Sequence, residues 1–256
     1  MATTYLQLSN ELLRELNEVE LTSSNFSTAK GVHSHVKDIV NRSYLDIVNE
    51  EPQWPFLATG ESGATDPMYG NTYIETVAGT RWYELKTAAS SIKDDYGYVD
   101  WDNFLLTTVG VSGESAPYTL RNLRFTTIEE WKDYVRLSEN KDDADQAVGG
   151  VPSRVIKSPD NRKFGLSPIP DQVYRIWFYA YDLPTELSAH GDAIVFPDLY
   201  VPVLINRGRY YVNQFKENAQ NAAFALEDYK RGLRNMKLHL MEPAPTYFKD
   251  DRIRVV

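Results

Sequence analysis

Residues 165–184 read GLSPIPDQVYRIWFYAYDLP, and the nine residues from Val173 to Tyr181 carry five aromatic side chains and a single charge, Arg175. Prolines at 168, 170 and 184 flank this run and limit it to a strand. Side chains alternate between the two faces of a strand, and one face of a half-exposed antiparallel sheet is normally polar. Here both faces are apolar, so the strand is predicted to be covered on both sides, by helices or by a neighbouring subunit. One face would carry Val173, Arg175, Trp177, Tyr179 and Tyr181, and the other Tyr174, Ile176, Phe178 and Ala180.

The region around this strand alternates in the same way, with glycine and proline between short runs. Residues 72–77, 81–85 and 104–109 are predicted strands, and 78–80 is short enough to join the first two as a hairpin. A turn is expected at 162–165, and 138–152 is predicted to be an exposed acidic loop. Thr127 and Glu130 have the spacing of a capping box, which indicates a helix start.

Both ends of the chain have helical periodicity instead. The first fifty residues predict two helices, the first capped by Thr3 or Thr4 and the second by Ser27, with Pro52 as the stop. The second apolar stripe comprises Val32, Val36, Ile39, Val40, Ser43 and Ile47. From Pro197 the helical pattern returns for more than forty residues, with Phe215 on its apolar stripe, and a kink is predicted within 216–218.

These changes of period predict an α+β fold. Residues 1–51 and 191–240 are expected to form one discontinuous helical domain, a bundle into which a β-rich domain, residues 52–190, is inserted. Residues 241–256 form an extended C-terminal tail, because Pro243 and Pro245 prevent the helix from continuing.

Composition limits the functional classes. The chain has 256 residues, no cysteine and a net charge of −9, so disulfides, thiol nucleophiles and thiolate metal sites are excluded. The acidic balance argues against a protein that grips nucleic acid, although the simpler reading is that it keeps the protein soluble. No apolar run is long enough for a membrane helix, and no signal peptide is visible at the start.

The search for chemistry finds no catalytic, cofactor or metal motif. His33 and His35 are two residues apart on a predicted helix and cannot share a metal. Ser188 lies near His190 but lacks the motif of a nucleophilic serine. The acidic runs 93–103 and 141–146 lack the spacing of a calcium loop and are predicted to be solvated loops. A polymer hydrolase is an alternative, because hydrolysis of a sugar polymer uses a pair of carboxylates and the middle of the chain has four candidate glutamates: Glu61, Glu75, Glu84 and Glu114.

Aromatic residues make up 12% of the chain, and such residues are enriched where proteins contact proteins. Trp177, Tyr179 and Tyr181 are therefore candidate subunit-interface residues. A second alternative is a carbohydrate-binding or tail-fibre-type module, which would expose a row of aromatic rings to sugars.

The serial order of segments resembles the neck, or head-to-tail adaptor, proteins of tailed bacteriophages, most closely those of contractile-tailed cyanophages. The resemblance covers nearly the whole chain. It rests on the segments YLQLSNELLRELNEVEL, VKDIVNRSYLDIVNEEPQWPF, YGNTYIETVAGTRWYELK, GYVDWDNFLLTT and SPIPDQVYRIWFYAYDLPTELSAHGDAIVFPDLY.

The resemblance implies a structural, non-enzymatic virion protein at the head-tail junction, assembled in the host cytoplasm. It implies a homo-oligomeric ring, expected to be dodecameric, between the portal protein and the next neck or tail-completion protein, with DNA only passing through the lumen. No cofactor and no membrane are implied. Candidate portal-binding residues are the basic residues of the last helices and the aromatic, basic and β-branched residues of the tail. They are Arg207, Arg209, Lys230, Arg231, Arg234, Lys237, Tyr247, Phe248, Arg252, Ile253, Arg254, Val255 and Val256. The tail is expected to add a strand to a neighbour's sheet edge.

Overall fold

The computed structural model describes residues 3–58, 72–85, 96–109, 119–136, 149–159 and 163–241. Within them the fold is mixed, with five helices and a curled seven-stranded sheet. The helices are α1 (Tyr5–Glu15), α2 (Val32–Val48), α3 (Ile128–Glu130), α4 (Val201–Phe215) and α5 (Ala219–Leu240). The strands are β1 (Thr72–Glu75), β2 (Trp82–Glu84), β3 (Tyr96–Thr108), β4 (Thr119–Thr126), β5 (Arg154–Lys157), β6 (Lys163–Ser167) and β7 (Tyr174–Asp182).

The chain divides into two compact units, whose boundaries lie between Phe56 and Leu57 and between Leu183 and Pro184. The helical unit contains α1, α2, α4 and α5. The β unit contains the sheet and α3.

The start of α1 follows from its cap, whereas the start of α2 differs from the prediction. Thr4 accepts a hydrogen bond from the Gln7 backbone, and the Gln7 side chain accepts one from the Thr4 backbone, which completes a capping box. Ser27 is not the cap of α2, because residues Phe26–Thr28 form a 3-10 turn and the helix begins after Gly31. The physical reason is Phe26, whose ring is buried edge-on against Tyr5 with ring centres 5.0 Å apart. This burial keeps the residues around Ser27 in the 3-10 turn, and the helix starts later.

The predicted interruption within 216–218 is confirmed, because it separates α4 from α5. Glu217 has a φ of 57°, and the Asn218 side chain accepts a hydrogen bond from the Asn221 backbone to cap α5. Phe215 does not stay on the buried stripe; it is 57% exposed at the end of α4. Close packing is set instead by Gly208, where an added Cβ would lie 2.6 Å from a Leu12 methyl group.

The sheet has the order β1-β7-β3-β4-β5-β6-β2, so the predicted hairpin is wrong. β1 pairs with β7 and β2 with β6, at opposite edges of the sheet. The intervening turn is nevertheless real. The Tyr83 hydroxyl lies 2.8 Å from the Thr80 carbonyl oxygen, to which it donates, and accepts a bond from the Val77 backbone, which holds the two edges together. The sheet is therefore curled.

Two further loop predictions are wrong in the β unit. Asp100 and Asp102 lie within β3, where the register against β7 shifts between Asp100 and Leu105. The Asp100 carboxylate accepts a hydrogen bond from the Asp102 backbone, so it bonds to the strand at the point where the register shifts and is not part of a loop. The turn expected at 162–165 is strand from Lys163 onward, because β6 bridges β5 and β2. The acidic run 141–146 and most of the loop 138–152 lie outside the described residues.

The core of the β unit is a cluster of aromatic rings around β7. The buried face of β7 consists of Tyr174, Ile176, Phe178 and Ala180, as the alternation predicts. Phe104 lies parallel to Phe178 with ring centres 5.0 Å apart, and Phe164 meets both rings edge-on. This cluster fixes which face of β7 points inward.

Candidate interaction surfaces

The second face of β7 is partly covered by its own chain. Trp177 is only 3% exposed, and its indole nitrogen donates a hydrogen bond of 3.0 Å to the hydroxyl of Thr107 on β3. The ring of Tyr73 on β1 packs on Trp177 with centres 4.8 Å apart. Tyr179 and Tyr181 are half-buried, and burial raises the pKa of the Tyr181 hydroxyl. Trp177 is thus covered within the chain, and the role of this face in a subunit interface stays a proposal.

The glutamates of the β unit are used in cross-strand ion pairs. Glu75 accepts a 2.6 Å hydrogen bond from Arg175, whose guanidinium also lies over the Tyr73 ring. Glu84 pairs with Lys163 at 3.1 Å. These pairs tie β1 to β7 and β2 to β6. Glu61 and Glu114 lie outside the described residues, and no carboxylate pair is assigned.

Arg207 on α4 is the centre of the strongest polar cluster in the helical unit. Its guanidinium donates to Asp46 on α2 over 2.7 Å and contacts the rings of Tyr211 and Tyr229. Burial acts to lower the pKa of Arg207, but the hydrogen bond and charge of Asp46 outweigh it and the pKa is raised overall. The Tyr211 hydroxyl donates to the same carboxylate over 2.6 Å. Arg207 therefore joins three helices and is a structural residue of the unit.

The other predicted basic residues divide into two groups. Arg209 pairs with Glu15 at 2.5 Å, Arg231 with Asp228 one helical turn away, and Lys237 with Glu50 at 3.2 Å. Lys230 and Arg234 are exposed on α5 and form no ion pair within the described part of the chain. These two cations are consequently the ones on α5 that are most available to a partner.

Exposed apolar residues in the helical unit are a feature that the sequence reasoning missed. Val19, between α1 and α2, is 79% exposed, Phe224 is 58% exposed and Leu238 is 72% exposed. The spacing along the chain could have revealed the exposed side of α5, since Phe224, Arg231 and Leu238 follow each other at intervals of seven residues and therefore share one side of a helix. That side lies opposite the buried residues Ala222, Ala225, Tyr229, Leu233 and Met236.

A cavity of about 350 Å³ lies between α2 and α4. Its lining includes His35, Asp38, Arg42 and Phe215, with the His35 and Phe215 ring centres 4.7 Å apart. His33 instead donates from Nε2 to the Val19 carbonyl oxygen over 2.9 Å. The described residues contain no group of three histidine, cysteine or acidic side chains arranged to hold a metal.

Ser188 and His190 lie in a turn organised by Asp192. This carboxylate accepts hydrogen bonds from the backbones of Ser188 and Ala189, over 2.6 Å and 2.7 Å, and from the Ser188 hydroxyl. These bonds, led by the Ser188 backbone, lower the pKa of Asp192. The arrangement is a capped turn, which assigns Ser188 a structural role.

The tail candidates Tyr247, Phe248 and 252–256 lie outside the described residues. Among those described, no helix combines the length and apolar character needed to cross a bilayer.

The described residues thus offer exposed apolar side chains and two unpaired cations on one helix, and no assembled catalytic or metal site. The chain belongs to the SU10 adaptor protein family, whose model matches residues 3–248. Membership of this family identifies a structural adaptor of phage virions, made to interact with other virion components. A search of curated proteins found no match.

Proposed function

We propose that this adaptor forms a ring, of about twelve copies, in the phage neck, between the portal protein and the next neck or tail-completion protein. The observation that carries the proposal is the family match, which spans both units and ends inside the tail, at residue 248. A closed ring repeats one heterologous contact, so each copy requires two different adhesive surfaces. The same proposal includes a relationship to the neck proteins of contractile-tailed cyanophages, a location at the head-tail junction and assembly in the host cytoplasm.

The lumen of this ring would pass DNA without binding it. A net charge of −9 supports this role, because an acidic surface repels the phosphate backbone. The same charge opposes association of free copies, so the isolated protein is expected to be monomeric or loosely associated and to close into a ring on the portal. Mass photometry of the free protein tests whether the ring closes only on the portal. Stable closed rings at low concentration would contradict that dependence on the portal but not the proposal of a ring.

Contact with the portal is proposed to rest on the tail and on Lys230, which is exposed and has no ion pair among the residues that the structure describes. Four of the six predicted basic residues already bind acidic groups of their own chain, which reduces their availability. The tail offers Tyr247 and Phe248 as apolar anchors, followed by the alternating run 252–256, RIRVV, which suits addition to a sheet edge of the portal.

The experiment mixes portal rings with three forms of the chain and images the complexes by negative stain. The forms are the full chain, a chain truncated after Leu240, and a full-length chain whose residues 241–256 are scrambled. The full chain should decorate the portal with a ring, and the other two should fold but dissociate from it. The scrambled tail separates the effect of sequence from that of length and charge. Equal binding by the truncated chain would refute the role of the tail, and a full chain that never decorates portals would refute the function.

A further inference from the structure

The segment between α1 and α2 holds one apolar side chain out in solvent. Val19 is 79% exposed, yet its backbone is fixed because the His33 ring donates to its carbonyl oxygen over 2.9 Å. The neighbouring Glu18 backbone donates to Leu13 over 3.0 Å, and Asn10 bonds both the backbone nitrogen and the carbonyl of Leu21. Single exposed apolar side chains are common on protein surfaces, so what distinguishes Val19 is its fixed backbone together with the residues beside it.

Acidic residues flank this side chain on both sides. Glu20 makes an exposed pair with Arg14 at 3.1 Å, and such pairs contribute little. Glu18 is exposed and forms no ion pair with any described residue. We call Glu18, Val19 and Glu20 the acidic knob.

The end of α5 combines an exposed leucine with an exposed cation. Leu238 is 72% exposed, and Arg234 lies one helical turn before it, exposed and without an ion pair to any residue the structure describes. The same side continues toward the start of the helix with mixed charge, because Arg231 pairs with Asp228 and Glu227 is exposed before Phe224 is reached. We call Phe224, Arg231, Arg234 and Leu238 the basic stripe.

The knob and the Leu238 end of the stripe cannot meet within one chain. His33, which holds the knob, is in the first turn of α2, whereas Lys237, beside Leu238, pairs at 3.2 Å with Glu50, just past the last residue of α2. These anchor points are seventeen residues apart, which is roughly 25 Å along a helix. The two surfaces therefore lie at opposite ends of α2 and can satisfy each other only between different copies.

We propose that the acidic knob of one copy docks on the basic stripe of the next, with Val19 against Leu238 and Glu18 facing Arg234. The occupant is assigned from charge. Arg234 beside the exposed Leu238 and Glu18 beside the exposed Val19 are opposite charges on the same chain, and neither has an ion pair among the described residues. The contact is heterologous and leaves one knob and one stripe unused at the ends of any open chain of copies. It rests on the proposed ring, assigns Arg234 to the neighbouring copy and leaves Lys230 and the tail to the portal.

Cysteine cross-linking tests the contact without background, because the chain contains no cysteine. The variant carrying Val19→Cys and Leu238→Cys, oxidised on portal rings, should give a ladder of disulfide-linked multimers. A mixture of the two single variants should stop at dimers. The matched control carries Phe215→Cys and Leu238→Cys; Phe215 is also exposed, at 57%, but is not flanked by two acidic residues. Neither pair can close within one chain, because a disulfide requires Cα atoms within about 7 Å.

A ladder in the test pair and its absence in the control supports the contact. Equal ladders in both pairs indicate random collision and overturn it. A third outcome is that the unmodified chain forms rings on portals but the test pair gives no ladder. This result overturns the contact and leaves the proposed function intact, with the portal as the remaining occupant of the stripe. A ladder in solution, with no decoration of portals, keeps the contact and refutes the portal function.

Charge reversal gives a second measurement that does not depend on oxidation. Glu18→Arg and Arg234→Glu should each raise the concentration needed for half-maximal ring formation by about fivefold, and the double variant should restore it. Failure of the double variant to recover either single loss would overturn the pairing of Glu18 with Arg234.

Discussion

The helical unit and the β unit both contain ion pairs and ring contacts, but different contacts are prominent in each. In the helical unit, ion pairs connect distant segments: Arg207 binds Asp46, and Arg209 binds Glu15. In the β unit, three stacked or edge-on phenylalanine rings from three strands form the centre of the core. Directional pairs define orientation, whereas ring clusters supply buried area, and the two contribute very different free energies.

The units differ as well in how their regular elements form, because the pattern that makes a helix is local and the pairing that makes a sheet is not. Apolar stripes on α1 and α2 are local patterns, each complete within one helix. β1 instead pairs with β7, so Glu75 finds Arg175 a hundred residues later. Local patterns are visible in sequence, and strand partners are not.

The largest expected effect is in the ring cluster. Phe178→Ala should lower the free energy of unfolding by about 3–5 kcal/mol, because it opens a cavity beside Phe104 and Phe164. Urea unfolding followed by near-ultraviolet circular dichroism measures it. Tyr179→Ala, on the opposite face of the same strand and half-buried, is the matched control and should cost about 1 kcal/mol. Equal losses would show that the two faces of β7 are equally important.

Overpacking of the helical unit should have the next largest effect. Gly208→Val should cost about 2 kcal/mol, since even a Cβ would lie 2.6 Å from a methyl group of the fully buried Leu12. Thermal unfolding compares it with Ala223→Val, which adds the same branched side chain at an exposed position of α5. A Gly208→Val protein as stable as the Ala223 variant would mean that α1 moves freely away from α4.

The Arg207–Asp46 pair should contribute less, about 1–2 kcal/mol of coupling. The cycle consists of Arg207→Met, Asp46→Asn and the double variant, each measured by urea unfolding. A second cycle on the exposed pair of Arg231 and Asp228 should give about 0.3–0.5 kcal/mol. If the two coupling energies agree, the burial of Arg207 among tyrosines has no energetic consequence.

The smallest effect at neutral pH concerns Tyr44, which is 1% exposed. Burial raises the pKa of its hydroxyl to about 12 from the ordinary 10.0. Its contribution is fully present below pH 10 and is lost as the pH rises toward 12, because the unfolded state ionises first. Tyr44→Phe should therefore change little at pH 7 and reduce the loss of stability between pH 10 and 12. Part of the decrease in stability with rising pH remains in this variant, because the pKa of Tyr229 is also raised to about 12. An unchanged alkaline slope in the variant would contradict this assignment.

Much of the helical unit was predictable from its sequence. Thr4 caps α1, one of the two residues predicted for that role, and the interruption before Asn218 falls within the predicted residues 216–218. The prediction that Ser27 caps α2 was wrong because capping there competes with the burial of Phe26, a tertiary contact that local sequence rules do not include.

The β unit shows the limit of the same reasoning. The run Val173–Tyr181 is predicted to be a strand covered on both faces. It forms a strand from Tyr174 with one buried face, and on the other face the cover of Trp177 comes from Tyr73 and Thr107, far away in sequence. Short separation suggested that β1 and β2 pair, whereas the Tyr83 hydroxyl supports a turn between strands that separate. For the interaction surfaces, sequence identified the cations but not their partners, so the availability of Lys230 and Arg234 emerged only from the structure.

The edges of the curled sheet have a consequence for behaviour at high concentration. Its edge strands, β1 and β2, contain four and three residues, and the turn linked to Tyr83 brings them together. Long, flat edges recruit other strands and lead to precipitation or fibres, and short edges offer little template for that process. In the proposed ring many copies gather at one point of a particle, and short edges would limit uncontrolled polymerisation there. Contacts between copies would then depend on side chains, which can be specific and limited in number.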